Sequence, residues 1–378
     1  MTGCMLGADV TLDQLDCDPH PVLAQLREHE PVAWLPALDG WLVTSYELAL
    51  EVMRDSQTFT VDDPRFSTAQ VIGSSMLSLD GEQHARHRTP FVPAFRPGPV
   101  RERFAADAAA EAERLIDELA PAGRGELRRS FAGPLAAAII TEALGLDRGE
   151  VPDVLGWYDA IVAAVTAITA GDELPAAGRE AFEALRGRLL AHGSAPAEEN
   201  ALTDDEFVSN AAVLLFGGIE TTEGMIANAI LHLLERPDQL AFFRSDPRLV
   251  GAAIEESLRF EPAAAVVDRY STRDIQLGGA SIARGELVRV SIAAANRDPA
   301  VFADPDRFDP RRSGSRGHLA FAQGPHVCLG VHLARLEARI GVALLLERLP
   351  ALRLDPDRPS AVRGIVFRKP PALNALWR

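Results

Sequence analysis

The chain has 378 residues, 47% of them hydrophobic, and a net charge of −16; it can bury a large core but lacks the clustered positive charge that bulk nucleic-acid binding needs. Three cysteines, Cys4, Cys17 and Cys328, are too few and too scattered for a disulfide framework or a paired-cysteine zinc site, as expected in a reducing cytosol. The opening MTGCMLGADV carries no secretory pattern and no stretch offers about 18 uninterrupted apolar residues, so a cytoplasmic protein without a membrane partner is expected.

No linker divides the sequence, and one domain over residues 1–378 is expected. Strand signals with Gly and Pro punctuation appear first at PVAWLPALDGWLVTS, residues 31–45. Helical spacing follows in ERFAADAAAEAERLIDELA (102–120) and LAAAIITEALGL (135–146), while APAEEN (195–200) reads as a polar loop. At LTDDEF, Thr203 and Glu206 form a capping-box pattern, opening a helix that runs to about Arg236, where Pro237 stops it. At 1.5 Å per residue it is roughly 50 Å long and should cross the core. Further strand signals lie in DIQLGGASIARGELVRVSIAA (274–294) and GIVF (364–367). The fold class is mainly α, a helical body with a small β-rich flank. Lys369 is the only lysine, which with the abundance of alanine reads as a GC-rich coding sequence rather than as chemistry.

The middle of the long helix reads AAVLLFGGIETTEGMIANAI. Adjacent Gly217 and Gly218 weaken a helix by about 1 kcal/mol each, and burying Glu220, Thr221 and Thr222 costs more. One explanation is a solvated notch on a surface face. The other is a local opening in which the glycines free a carbonyl and admit a ligand, while Glu220 and Thr221 handle protons or water.

Cys328 stands just before the helical run LGVHLARLEARIGVALLLERL, where unpaired amides and the helix dipole favour a thiolate. Gly324 and Pro325 stiffen the loop and Gly330 lets a flat ligand approach. Zinc would need more thiolate or imidazole ligands than His326 and His332 supply, and a nucleophile would need an oriented base. From the loop alone, an inert buried cysteine and an anionic metal ligand both stay open.

FAQGPHVCLG (321–330), GGIETT (217–222), the Glu256–Arg259 pair in EESLR and Arg307 in PDRFDP together resemble the cytochrome P450 family, soluble bacterial type, in order and spacing. DGEQHARHR, ANRDPAVF and LARLEARI extend the resemblance from about residue 15 to the end. It implies the P450 fold, with a long central helix, a small β region and haem b buried between. Cys328 would be the axial thiolate and Phe321 its shield, with Gly324 and Gly330 shaping the loop. His84 and Arg88, four apart on one helical face, would meet one haem propionate; Arg269 and His326 would serve the other. Glu220 and Thr221 would deliver protons, Gly217 and Gly218 would leave room for O₂, and Glu256, Arg259 and Arg307 would form a structural ion network. Ala322, where bacterial members often have Gly, and Pro325 depart from the pattern.

The implied activity is a monomeric monooxygenase that uses O₂ to oxidise a small molecule. Thiolate-haem sensing, peroxide-driven oxidation and a non-haem helical binding protein are the rival readings. No Gly-x-Gly-x-x-Gly dinucleotide fingerprint occurs, so electrons should come from a ferredoxin and its reductase. Arg311, Arg312, Arg316, Arg335 and Arg339 crowd the sequence around Cys328 and could dock an acidic carrier, or could equally cap helices and pair with nearby acids. Candidate pocket walls are Val71, Ile72, Met76, the segment around Trp157 and Ile161, Ile219, Ala265, Val266 and Val366. Their small apolar character points to a moderately sized, largely apolar substrate such as a polyketide, terpenoid or fatty-acyl intermediate.

Overall fold

The computed structural model describes residues 6–169, 172–192, 202–246, 249–312 and 314–378, so the APAEEN loop lies outside the described residues. In chain order the helices are α1 (Leu12–Cys17), α2 (His20–His29), α3 (Tyr46–Arg54), α4 (Ser67–Ile72), α5 (Gly81–Arg88), α6 (Pro97–Leu119) and α7 (Gly133–Ala143). There follow α8 (Val151–Thr169), α9 (Ala176–His192), α10 (Asp204–Leu234), α11 (Pro237–Ser245), α12 (Val250–Phe260), α13 (Ile292–Ala295) and α14 (Val331–Arg348). The strands are β1 (Val32–Leu35), β2 (Gly40–Val43), β3 (Phe59–Thr60), β4 (Arg124–Glu126), β5 (Val266–Ser271), β6 (Ile275–Leu277), β7 (Ala280–Ile282), β8 (Leu287–Ser291), β9 (Arg353–Leu354) and β10 (Asn374–Leu376).

The capping box starts α10 where the sequence places it: the Thr203 hydroxyl accepts from the Glu206 amide at 3.2 Å, and Glu206 accepts from the Thr203 amide at 2.8 Å. The helix then runs unbroken through Gly217 and Gly218, so the expected local opening is not a break in the helix. Neighbouring helices explain this. The main apolar core, which includes Phe104, Phe131, Leu135, Ile140, Leu215, Ile226 and Leu345, surrounds α10 and offsets the low helix propensity of the glycines.

The strand signals at 31–45 form β1 and β2, which pair as a hairpin with Trp34 opposite Trp41 and their rings edge-on at 5.5 Å. These strands begin a five-stranded sheet of order β1-β2-β8-β5-β3, in which β2 and β8 are parallel. The 274–294 signal resolves into β6, β7 and β8, the first two turning through Gly278 and Gly279 at φ +55° and +88°. GIVF is not a strand. Gly364 has φ +115°, and a Cβ there would meet the Phe367 carbonyl, so the segment is a tight turn that leaves one bridge between Phe367 and Ala264.

Among the described residues one helix, Arg148–Thr169, is long and apolar enough to cross a membrane by length and composition. Its buried residues, Val154, Tyr158, Ile161 and Ala164, form one stripe at helical spacing, and Asp153 and Asp159 interrupt the apolar run.

Candidate active site

The cysteine loop is fastened at three points before α14 begins. The Cys328 amide donates to the Phe321 carbonyl at 2.8 Å, closing the loop. Gly324, at φ +74°, lies so close to α3 that a Cβ would come within 2.4 Å of the Met53 carbonyl. Arg88 on α5 donates to the Val327 carbonyl at 2.6 Å. Ala322 adopts the left-handed conformation, φ +56°, at a position the family often gives to Gly, and a residue with a Cβ pays roughly 1 kcal/mol for it. The Cys328 thiol is accessible yet set deep among protein atoms. That desolvation raises its pKa, while the Gly330 amide, Arg88 and Arg335 pull it back down. A thiol so placed is poised to ionise when a cation approaches it.

The basic residues expected around a propionate come together beside this loop. The His84 and His326 rings lie 4.4 Å apart. His326 holds Asp80 at 2.8 Å, and Asp80 also accepts from the Thr60 hydroxyl and the Val61 amide. Burial alone would raise the Asp80 carboxyl, but these bonds hold it at about 2. Arg269, buried on β5, has its pKa lowered by burial, with Asp80 and Asp268 opposing. Nε2 of His84 is buried without a partner, and burial, helped by His326 and Arg88, lowers the imidazole to about 4. An unsatisfied imidazole nitrogen beside a second imidazole and the Arg88 guanidinium, with Arg269 facing the same Asp80, suits a carboxylate-bearing ligand. These residues and an accessible cysteine therefore fit haem b, the cofactor the family implies.

On α10, Gly217, Gly218 and Thr221 are the positions between Val208 and Leu234 that are not buried. With Val213 and Leu214, each 9% exposed, they form a stripe at i, i+4 spacing. A Cβ on Gly217 would meet nothing within 4 Å, whereas one on Gly218 would press on Ile140 of α7 at 2.7 Å. Gly218 is therefore a helix-packing glycine, and the room expected at both glycines exists at Gly217. The Thr221 hydroxyl donates to the Gly217 carbonyl at 2.6 Å. Glu220 is 6% exposed and turned elsewhere: Tyr158 on α8 donates to one carboxylate oxygen, and Lys369 Nζ lies 2.7 Å from the other. Neither Tyr158 nor Lys369 was marked by any sequence motif, and Lys369 is the residue that composition had set aside.

The ion network needs one correction. Glu256 and Arg259, both wholly buried, pair at 2.7 Å, and the third side chain is Arg312, 3.2 Å from Glu256. Arg307 turns its carbonyl inward to accept from Arg259 at 3.2 Å and leaves its side chain exposed. Of the arginines considered for docking, Arg312 is thus internal. Arg335 is held by Glu255 at 2.7 Å, with its guanidinium 4.6 Å from the centre of the Phe321 ring. Both belong to the fold around the cysteine loop. Arg316 and Arg339 are exposed.

The expected pocket walls do not share one environment. Val71, Ile72, Met76 and Ile219 belong to the main core around α10, and the Asn210 side chain on α10 accepts from the Met76 amide at 2.8 Å. Ala265 belongs to a separate apolar cluster with Leu35, Leu42 and Ala293, because its strand packs toward the N-terminal helices. Ala265 is accordingly dropped as a pocket wall. Val266 and Val366 are half-buried, and the Val366 carbonyl accepts from the Ala265 amide at 2.9 Å. A surface cleft of about 460 Å³, lined by His20, His232, Glu261 and Arg297 among others, contains none of the predicted residues. Metal-ligand side chains converge, among the described residues, at Asp147, Glu150 and His192, not at Cys328, which disfavours zinc there.

A cytochrome P450 profile matches residues 243–373. The chain is 36% identical to the cytochrome P450 monooxygenase PikC of Streptomyces venezuelae, over 96% of this chain and 91% of that one. It is 35% identical to nocardicin C N-oxygenase of Nocardia uniformis, over 97% of each. Its structure is similar to that of P450BioI in complex with hexadec-9Z-enoic acid ligated to acyl carrier protein, with TM-score 0.85 and 29% identity over 96% of this chain and 98% of that one. The chain belongs to the cytochrome P450 family and is an oxidoreductase of its bacterial monooxygenase type.

Proposed function

We propose that this enzyme is a haem-thiolate monooxygenase of secondary metabolism, with Cys328 as axial ligand, that oxidises a moderately sized, mainly apolar small molecule. Haem b, when bound, supplies the dioxygen chemistry. Phe321, stacked beneath Arg335, covers the cysteine loop, and the Gly330 amide steadies the sulfur. His84, Arg88, Arg269 and His326 hold the propionates, His84 through the nitrogen that otherwise has no partner. At Thr221 the hydroxyl hydrogen is committed to Gly217, so its oxygen accepts from water beside the open face of Gly217. Glu220 is the adjacent reservoir of protons. Electrons come from a separate ferredoxin and reductase.

The observation that carries this reading is an accessible thiol on a pinned loop, next to a buried and unsatisfied imidazole. Support for the substrate class comes from the apolar residues Val213 and Leu214 bordering Gly217, and from the long acyl chain carried in the P450BioI complex. The test is a spectrum. Reduced, CO-bound protein should show the strongly red-shifted Soret band of thiolate ligation, and Cys328→His should abolish that band while retaining haem. A correctly folded, haem-loaded protein without the band would sink the reading. Small molecules that convert the haem from low to high spin then identify the substrate.

A further inference from the structure

A buried hydrogen-bond relay, separate from the groups around Cys328, joins α5, the N-terminal part of α10 and the loop 73–78. The loop leaves α4 at Gly73, whose φ is +81° and where a Cβ would come within 2.9 Å of Ser209 Oγ on α10. Ser75 and Ser78 close its turn: the Ser78 amide donates to the Ser75 carbonyl at 3.0 Å, and the Ser75 amide to Ser78 Oγ at 3.1 Å. Between them the Met76 amide donates to Asn210 Oδ1 at 2.8 Å. Asn210 lies three, four and seven residues before Val213, Leu214 and Gly217, so it begins the face of α10 that Gly217 and Thr221 leave open, about 10 Å along the axis from Gly217. The latched loop therefore bounds the N-terminal end of that open face.

Two backbone groups settle how the Asn210 amide is turned. The Met76 N–H can only donate and the Glu206 carbonyl can only accept, so Oδ1 faces Met76 and Nδ2 donates to Glu206 at 2.7 Å. Nδ2 also lies 2.9 Å from His87 Nδ1 on α5, and that nitrogen must accept. His87, 2% exposed, is therefore neutral with its hydrogen on Nε2, 3.4 Å from the Glu206 carboxylate. Arg86 stands 3.1 Å from Nε2 and is itself held by Glu206, while His84, three residues back on α5, is repelled by a charged His87. Burial, opposed by Glu206 and assisted by Arg86, lowers the His87 pKa and keeps the ring neutral near pH 7. Once protonated, the ring has only donors: Nδ1–H would face Nδ2–H, and turning the amide over would set Nδ2 against the Met76 N–H.

We infer that His87 and Asn210 are positioning residues for ligands on the open side of α10: neutral His87 orients the Asn210 amide, the amide latches the loop 73–78 through the Met76 N–H, and a proton taken up by His87 from water releases the latch. This rests on the monooxygenase reading above, which places the ligand on that side. Acid undoes only the bond between Met76 and Asn210, since the contact of Gly73 with Ser209 contains no titrating group. The fit of bulky ligands thus becomes pH-dependent below the ordinary imidazole value of 6.5.

Hydrogen exchange at the Met76 amide of the haem-loaded protein, corrected for its intrinsic rate, reads the latch without any turnover. Protection should fall about tenfold between about pH 7.5 and about pH 5 in the parent, be low at both in Asn210→Leu, and stay high at both in His87→Leu, where Asn210 keeps the Glu206 carbonyl and nothing titrates. Asn210→Asp gives the opposite sign. Its carboxylate still accepts from Met76, and its second oxygen accepts from Nδ1–H of a protonated His87, so protection holds or rises on acidification. Isocyanides, which ligate haem and carry no ionisable group, read the pocket: release should weaken phenyl isocyanide about threefold or more relative to methyl isocyanide, in the parent at low pH and in Asn210→Leu at both, with haem content unchanged. Met76 protection that does not move with pH in the parent, a pH response that survives in His87→Leu, or an isocyanide ratio that ignores the latch overturns the proposal. Failure of the monooxygenase reading would appear instead as a missing thiolate–CO band, whatever the Met76 amide shows.

Discussion

His84 Nε2 is a buried nitrogen with no hydrogen-bond partner, in a ring whose pKa falls to about 4. In the unfolded chain the same ring titrates near its ordinary 6.5. Below that pH the unfolded state takes up a proton that the folded one refuses, so stability is lost as pH drops from 6.5 toward 4. The slope is at most about 1.4 kcal/mol per pH unit, and solvent reaching the ring makes it smaller. A propionate accepting from this nitrogen reverses the balance, because it favours the charged ring. Urea unfolding of haem-free protein should therefore show an acid slope, His84→Phe should make it shallower while leaving the part due to His87 and His232, which burial also lowers, and haem loading should flatten the His84 part. His84 and Cys328 can be singled out in the sequence because short local patterns mark them, and the structure brings both to the one loop region. Arg312 was not, because which of several nearby arginines turns inward depends on the turn following Asp304, whose own φ of +46° no motif announces.

Elements were legible where local chemistry starts or stops them, as with the Thr203 cap of α10 and the strands at 31–45, whose pairing the structure supplies. Their function was less so, because the two adjacent glycines of α10 face different partners. Gly218→Ala would push against Ile140 at 2.7 Å, while Gly217→Ala would meet nothing. Overpacking of that kind costs about 1–3 kcal/mol, whereas Ala in an unobstructed helical position gains up to about 1 kcal/mol. Thermal unfolding of the haem-free protein should thus move down for Gly218→Ala and up or not at all for Gly217→Ala. The ligand reverses the ranking: Gly217→Ala should weaken the binding of cyanide to the haem, since its methyl group enters the open face of the helix. A shared destabilisation with unchanged ligand affinity in both would return these glycines to packing alone.

At the scale of the molecule the cysteine loop is where separate parts meet. Gly324 rests on α3, whose Ala49, Val52 and Met53 form an apolar cluster with Val43, Phe59, Val288 and Val290 of the five-stranded sheet; Arg88 binds the loop to α5, and Arg335 with Glu255 binds it to α12 and α14. Such convergence was invisible in the sequence, where Met53 and Arg335 lie 282 positions apart. Gly324 is the point that tolerates least. Its φ of +74° already favours glycine, and a Cβ would sit 2.4 Å from backbone of α3, which cannot move aside without shifting the sheet side of the fold. Gly314 offers a control, with φ +82° and open space around it. Both alanine variants should pay roughly 1 kcal/mol of backbone strain. Gly324→Ala should in addition lift the loop from α3, lowering haem content and broadening the thiolate–CO band, while Gly314→Ala keeps both. Equal haem retention in the two variants would mean that the loop is held by Arg88 and Arg335 alone, with α3 merely adjacent.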